Sequence, residues 1–143
     1  MTEVKIKLID GGKMPEYKTE GAACTDCYAR LMTPYITIPK GARCLVNLGF
    51  CMELPKGYEA VIRPRSGLTS KAIDNGIGTI DSDYRGEVKV CVINNTGEDI
   101  EIKNLERICQ MKIQEAEQFK FVQVNELSET ERGDGGFGHT GRM

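Results

Sequence analysis

The sequence contains no tryptophan and a single histidine, His139, close to its C-terminal end. One histidine in that position argues against a histidine-rich metal site and against a Ser–His–Asp triad, whose base must be held rigidly beside its nucleophile. No long apolar run is present, so no membrane-spanning helix is expected. The opening residues, MTEVKIKLID, alternate charged and apolar side chains and lack the apolar core of a secretory signal. A cytoplasmic protein is therefore expected, in the host cell's cytoplasm if its origin is viral. Neither sign of charge dominates: 19 basic residues against 21 acidic ones give a net charge of −2. A general nucleic-acid binder carries a basic excess, so direct binding to nucleic acid is not expected, and neither is membrane association.

What is present is ordinary in bulk and unusual in detail. The length of 143 residues suits one domain, and 40% hydrophobic with 28% charged residues argues against wholesale disorder. The 16 glycines imply many turns or a site lined by backbone. Six cysteines are spread through the chain: Cys24, Cys27, Cys44, Cys51, Cys91 and Cys109. Cys24 and Cys27 form a C-x-x-C pair, but no second pair completes a zinc site and no βαβ pattern supports a thioredoxin-like role. Free thiols acting as small buried hydrophobes are expected. Asn94-Asn95-Thr96 matches a glycosylation sequon, which an intracellular protein would not use.

Apolar residues recur with period two, which indicates strands with one face buried. Val4, Ile6 and Leu8 alternate with lysines. From 43 to 54 every even position is apolar, from Cys44 to Leu54, which predicts one long strand or two joined by a bend at Gly49. Similar alternation predicts strands at Ile36/Ile38, Ala60/Ile62, Val88 to Val92, Ile100/Ile102 and Cys109 to Ile113, with a last one through Phe119 to Val124. Gly, Pro and Asn clusters separate these runs. The only predicted helix is short, Ser66 to Ile73, with Ser66 as its cap and Asn75-Gly76 as its stop. Many short strands at near-regular spacing imply an all-β sandwich, jelly roll or barrel with one short helix. Residues 1–127 form its β domain. Residues 128–143 are polar and glycine-dense around Phe137, and read as a flexible tail that closes over something.

Three segments could carry chemistry. Pro64-Arg65-Ser66-Gly67 lies where a strand gives way to the short helix, and offers a guanidinium, a hydroxyl and backbone N–H groups to a phosphate. An ordinary serine cap beside a surface arginine explains the same residues. Asp81 and Asp83 point to one side in an extended chain, and one carboxylate could serve as a general base. A polar turn with solvated carboxylates is the plainer reading. Gly133 to Gly138 satisfies G-x-G-x-x-G, yet no helix or second strand can follow, so a Rossmann site is excluded. Its backbone N–H groups can still wrap an anion, with Arg132 beside them.

Taken in order, these segments resemble the five motifs of the homotrimeric dUTP diphosphatases (dUTPases) over essentially the whole chain. The motifs are Ala22 to Ala29, Pro64 to Leu68, Asn75 to Gly86, Arg107 to Gln110, and Arg132 to Gly141. Cys24 stands where the family has glycine, and Cys27 where it has leucine. Both leave Asp26 in place.

The resemblance implies a mostly antiparallel jelly roll of the dUTPase-like (β-clip) form with one short helix, and hydrolysis of dUTP to dUMP and pyrophosphate. That activity limits uracil in DNA and supplies dUMP for thymidylate synthesis. It implies Asp81 as the base that activates water for attack on the α-phosphorus. Ser66 would donate to oxygens where charge develops, and Arg65, Gln110 and Arg132 would hold phosphate oxygens. Mg²⁺ would ride mainly on the triphosphate, with Asp26 acting through a metal-bound water or by fixing an arginine. A hairpin around Asn75 to Asp81 would read uracil through Asn75, Gly78, Thr79 and Ile80. Tyr84 would exclude a 2′-hydroxyl, Lys89 would line the pocket, and Phe137 would stack on the base. Gly67, Gly138 and Thr140 complete the expected contacts. Three subunits would share each site: one gives the hairpin, a second Arg65, Ser66 and Gln110, the third its tail. Two other readings are a dCTP deaminase-like or bifunctional enzyme of the same fold, and a non-catalytic, nucleotide-dependent regulatory binder. No glutamate sits in a deaminase motif, and no long insertion serves a partner.

Overall fold

The computed structural model describes residues 1–143. Eleven strands and one helical turn follow in chain order: β1 Lys5–Leu8, β2 Thr25–Tyr28, β3 Tyr35–Ile38, β4 Arg43–Asn47, β5 Phe50–Glu53, β6 Tyr58–Arg63, α1 Ser66–Thr69, β7 Ile73–Asn75, β8 Gly78–Ile80, β9 Lys89–Asn94, β10 Ile100–Lys103 and β11 Arg107–Glu115. They make a four-stranded sheet β2-β11-β6-β8, a three-stranded sheet β4-β9-β7, and two pairs, β1-β5 and β10-β3. Every pairing is antiparallel. The all-β expectation holds, and no helix is long and apolar enough to cross a membrane.

The period-two pattern builds the core directly. Val46, Leu48, Phe50, Met52 and Leu54 are all buried, and they share one core cluster with Val90 and Val92 of β9 and with Val88 just before it. Each such side chain contributes roughly 1.5–3 kcal/mol on leaving water. The expected bend falls at Gly49, where φ is +79°. There the chain changes partner, from β9 on one side to β1 on the other. A Cβ at Gly49 would lie 2.6 Å from the Cα of Gly12, so only glycine serves at this crossing.

Asn94 is fully buried and fully used. Its amide nitrogen donates to the carbonyls of Ile38 (3.0 Å), Pro39 (3.1 Å) and Glu98 (2.8 Å), and its oxygen accepts from Thr96 N (2.9 Å) and Oγ1 (2.6 Å). Asn94→Ala would strand those groups, and is expected to lower stability by about 2–4 kcal/mol in urea unfolding.

Two expected elements differ. The helix is one turn, not eight residues, and Arg65 rather than Ser66 stands at its N-cap, without a side-chain cap bond. Ala72, at φ 61°, ends the turn's exit, and Ile73 already begins β7 because its backbone pairs with β9. Phe119 to Val124 forms no strand. From Glu117 to Met143 no regular element occurs, and every residue except Gly135 is exposed. The alternation there has no partner strand within the chain.

Candidate active site

Sheet pairing gathers one group of expected site residues from distant parts of the sequence. Asp26 on β2 lies opposite Gln110 on β11, and Gln110 lies opposite Arg63 on β6. Just past β6, Arg65 folds back over this row. Its guanidinium donates to the Arg107 carbonyl at 2.9 Å, and its Nε lies 3.7 Å from Asp26 Oδ1. Arg107 donates to Asp26 Oδ2 at 3.1 Å. Asp26 is only 7% exposed, and a carboxylate so placed needs charged partners. Arg107 carries no role in the sequence-based reading, yet it is the direct partner of Asp26. It sits in the fourth motif, but its link to Asp26 spans 81 residues and appears only once β2 and β11 pair.

A second layer supports Asp26 from outside. The backbones of Glu16 and Asp26 bond to each other in both directions, at 2.9 and 3.3 Å. The Glu16 carboxylate accepts from the Lys18 ammonium and the Tyr28 hydroxyl, with the Lys13 ammonium 3.9 Å away. The hydrogen bond from Lys18, then that from Tyr28, lowers the Glu16 carboxyl to about 2. Lys13 also stands 4.1 Å above the Tyr28 ring, in cation–π contact.

Ser66 opens α1 with its hydroxyl exposed and unbonded, and Gly67 follows it, also exposed. A helix this short adds little dipole, so any anion held here is held by Arg65, Ser66 and backbone N–H groups. No three His, Cys, Asp or Glu side chains gather to hold a metal ion. Asp26, the expected indirect ligand, is engaged by two guanidiniums. The six cysteines are free thiols. Cys27 and Cys109 face each other across β2 and β11, both fully buried. The neighbouring Cys27 thiol and burial push the Cys109 thiol up, so it stays protonated and serves packing.

The segment from Asn75 to Tyr84 lies elsewhere. The hairpin expected there is absent as a hydrogen-bonded unit: β7 pairs with β9 and β8 with β6, in different sheets. Each is an edge strand, so the backbone edges of β7 and β8 that β9 and β6 do not use stay open. Asn75 is buried, and its amide nitrogen donates to the Gly76 carbonyl at 3.0 Å while its amide oxygen accepts nothing within the chain. Asp81 to Tyr84 is a turn, closed by Tyr84 N to Asp81 O at 3.1 Å and braced by Arg85 on the Ser82 carbonyl at 2.6 Å. The extended geometry that would align Asp81 with Asp83 is therefore not present. Asp81 is exposed, unpaired, and borders an open cleft of about 1360 Å³ with Lys56, Tyr58, Glu59 and Arg85. Tyr84 is 44% exposed, and Lys89 is exposed at the start of β9.

These groups do not meet within one chain. Ile80 lies opposite Ala60, so Asp81 falls beside Glu59, while Arg65 lies beyond Arg63 at the other end of β6. At about 3.3 Å per residue the two are separated by more than about 13 Å along the strand. The tail residues are also apart. Arg132 bonds only the Gly135 carbonyl, at 2.7 Å, and Phe137, Gly138 and Thr140 are exposed.

Comparison with known proteins fits this arrangement to one family. The family model for dUTPase matches residues 10–141. The chain is 46% identical to the deoxyuridine 5′-triphosphate nucleotidohydrolase of Fusobacterium nucleatum, over 99% of this chain and 100% of that protein. It is 50% identical to the protein of the same name from Treponema denticola, over 97% and 98% respectively. In structure it resembles a Staphylococcus bacteriophage 80alpha dUTPase solved with dUpNHpp, at a TM-score of 0.91 and 22% identity, covering 99% of this chain and 100% of that one. It also resembles the dUTPase of phage phi11 of S. aureus, whose structure coordinates a structural Mg(II) ion, at a TM-score of 0.82 and 17% identity, covering 90% and 100%.

Proposed function

The chain belongs to the dUTPase family, and from that premise we propose how its residues divide the work. It hydrolyses dUTP to dUMP and pyrophosphate. The observation that carries the division is the separation just described: a cationic cluster around Asp26 at one end of the four-stranded sheet, and an unpaired Asp81 at the other.

Arg65, Gln110 and Ser66 hold the phosphates, with Gly67 lending backbone N–H. Asp26 keeps Arg65 and Arg107 in place, so the guanidiniums are aimed before substrate arrives. Mg²⁺ bound with the triphosphate would supply further charge neutralisation, with Asp26 acting on it through a water or only by fixing the arginines it pairs with. Asp81, free of any ion pair, orients a water and takes its proton as the water attacks the α-phosphorus. The open edges of β7 and β8 read uracil: backbone groups of Gly78, Thr79 and Ile80, plus the free amide oxygen of Asn75, match its N3–H and carbonyls. Cytosine reverses that pattern and would leave buried groups unpaired. Tyr84 walls off a 2′-hydroxyl, and Lys89 lines the same side. Residues 128–143 form a lid on the β domain of residues 1–127, with Arg132 on phosphate, Phe137 on the base, and Gly138 and Thr140 on phosphate oxygen.

A homotrimer completes the site, each subunit supplying a different group. Cyclic symmetry closes such an assembly. Its support is the apolar surface that the chain leaves open. Leu45 on β4 is 69% exposed beside the half-buried Cys91 on β9, and Phe121 and Leu127 are 96% and 87% exposed. Six free thiols accord with a cytoplasmic setting.

Assay of dUTP, dCTP, dTTP and UTP separates the readings. Pyrophosphate release from dUTP alone is expected. Ammonia from dCTP would indicate a deaminase, and no product from any would indicate a regulatory binder.

A further inference from the structure

Tyr84 is held by its own loop in a way that its role in sugar choice does not by itself require. Its hydroxyl donates to the Glu87 carbonyl at 3.1 Å. Its ring lies against the α-carbon of Gly86, so close that a Cβ there would stand 2.6 Å from the ring's Cζ and 3.0 Å from Cε2. Real Cβ contacts do not fall that short, so either the ring or the residue must give way.

The backbone does not demand glycine at 86. Seven glycines have positive φ, and Gly86 is not among them. An alanine fits that φ without strain. The ring is the obstacle that the structure places there: the three nearest atoms to an added Cβ all belong to Tyr84.

Glu87, the residue that supplies the carbonyl, is itself clamped. Its carboxylate takes a two-pronged contact from Arg30, Nε at 2.9 Å and NH2 at 2.8 Å, and a third bond from Gly49 N at 2.9 Å. Both side chains are largely buried, at 14% and 16% exposure. The Arg30 hydrogen bond holds the Glu87 carboxyl below the usual carboxylate range, and Arg30 is raised in return. Gly49 is the rigid crossing with Gly12. The carbonyl that anchors Tyr84 is thus tied to the core through a charged fork.

We propose that Gly86 is a specificity-determining positioning residue: by having no side chain it lets the hydroxyl end of Tyr84 lie against the loop, tethered to the clamped Glu87 carbonyl, where the ring excludes a ribose 2′-hydroxyl. The proposal rests on the reading of Tyr84 as the wall against ribose. Steric exclusion needs a wall that cannot retreat. A ring free to swing would admit the extra oxygen at small cost.

The test compares kcat/KM for UTP and dUTP in Gly86→Ala, Tyr84→Ala and the double variant, with thermal midpoints recorded for each. Gly86→Ala should raise the UTP/dUTP ratio at least about tenfold by pushing the ring away. In the Tyr84→Ala background the same substitution should change neither the ratio nor the midpoint, because the clashing atoms are gone. If Tyr84→Ala relaxes the ratio and Gly86→Ala leaves it unchanged, this proposal falls while the Tyr84 reading stands. If Tyr84→Ala itself leaves the ratio unchanged, both fall. Should Gly86→Ala fail to fold, Tyr84→Phe reads the same restraint by keeping the ring and cutting the tether. A rise in the ratio supports the proposal, and an unchanged ratio overturns it.

Discussion

Asp81→Asn is expected to lower turnover at least about 100-fold while leaving binding of a non-hydrolysable dUTP analogue intact. The substitution preserves size and removes the proton acceptor. Little else in the chain depends on the group: Asp81 is exposed and its carboxylate pairs with nothing, so the variant should fold as the parent does. Near-normal turnover would refute its role. The same variant tests whether sites are shared. Arg65 lies beyond the far end of β6 from Asp81. If each site takes Asp81 from one subunit and Arg65 from another, co-expressing Asp81→Asn with Arg65→Gln in equal amounts regenerates intact sites in about a quarter of positions. Each variant alone has none. Activity of the mixture no greater than the sum of its parts would place both residues of a site in one chain.

Strands were legible because half-buried strands write their period into the sequence. Val46, Leu48, Phe50, Met52 and Leu54 could be assigned to one face from alternation alone, and all are buried. Gly49 could be read as a bend because glycine in an apolar alternation weakens a strand without another purpose. Partnership was not legible. Nothing local says that β4 and β5, which run on from each other, pair with different strands, or that β7 and β8 do not pair together. The same blindness hid Arg107, whose partner Asp26 arrives through strand pairing. It also hid the fork between Arg30 and Glu87, 57 residues apart.

Alternation misled at Phe119 to Val124, where apolar residues recur with the right period but nothing in the chain pairs with them. A pattern reports what wants to be buried and not by whom. The helix was overextended for a related reason. Ser66 to Ile73 has glycine only at its start, at Gly67, but Ile73 has a better use as the start of β7 against Asn94. Tertiary pairing outweighed a weak local preference. The motifs name candidate residues, yet the distance between Asp81 and Arg65 comes only from the register of β6 and β8.

Truncation after Glu131 is expected to leave the thermal midpoint nearly unchanged and to lower kcat sharply, by more than it weakens substrate binding. The first half follows from packing. Residues 132 to 143 form turns among themselves, such as His139 N to Gly136 O at 3.1 Å and Gly141 N to Gly138 O at 2.8 Å, and Phe137 stands fully exposed. No core side chain comes from this segment, so its loss removes no buried apolar area. The second half follows from what ordering costs. Fixing a residue's backbone costs roughly 1–2 kcal/mol, and more for glycine. A dozen residues rich in glycine close over a site only when contacts there offset that entropy. Phe137 on the base, Arg132 on the terminal phosphates and backbone N–H groups from Gly138 to Gly141 are the available contacts. They are strongest when the triphosphate is fully seated and water is excluded around the α-phosphorus, so closure favours the reacting state over initial capture. Phe137→Ala should reproduce part of the loss, since it removes the largest apolar contact and leaves the phosphate contacts. Full kcat in the truncated protein would show that the β domain alone carries the chemistry.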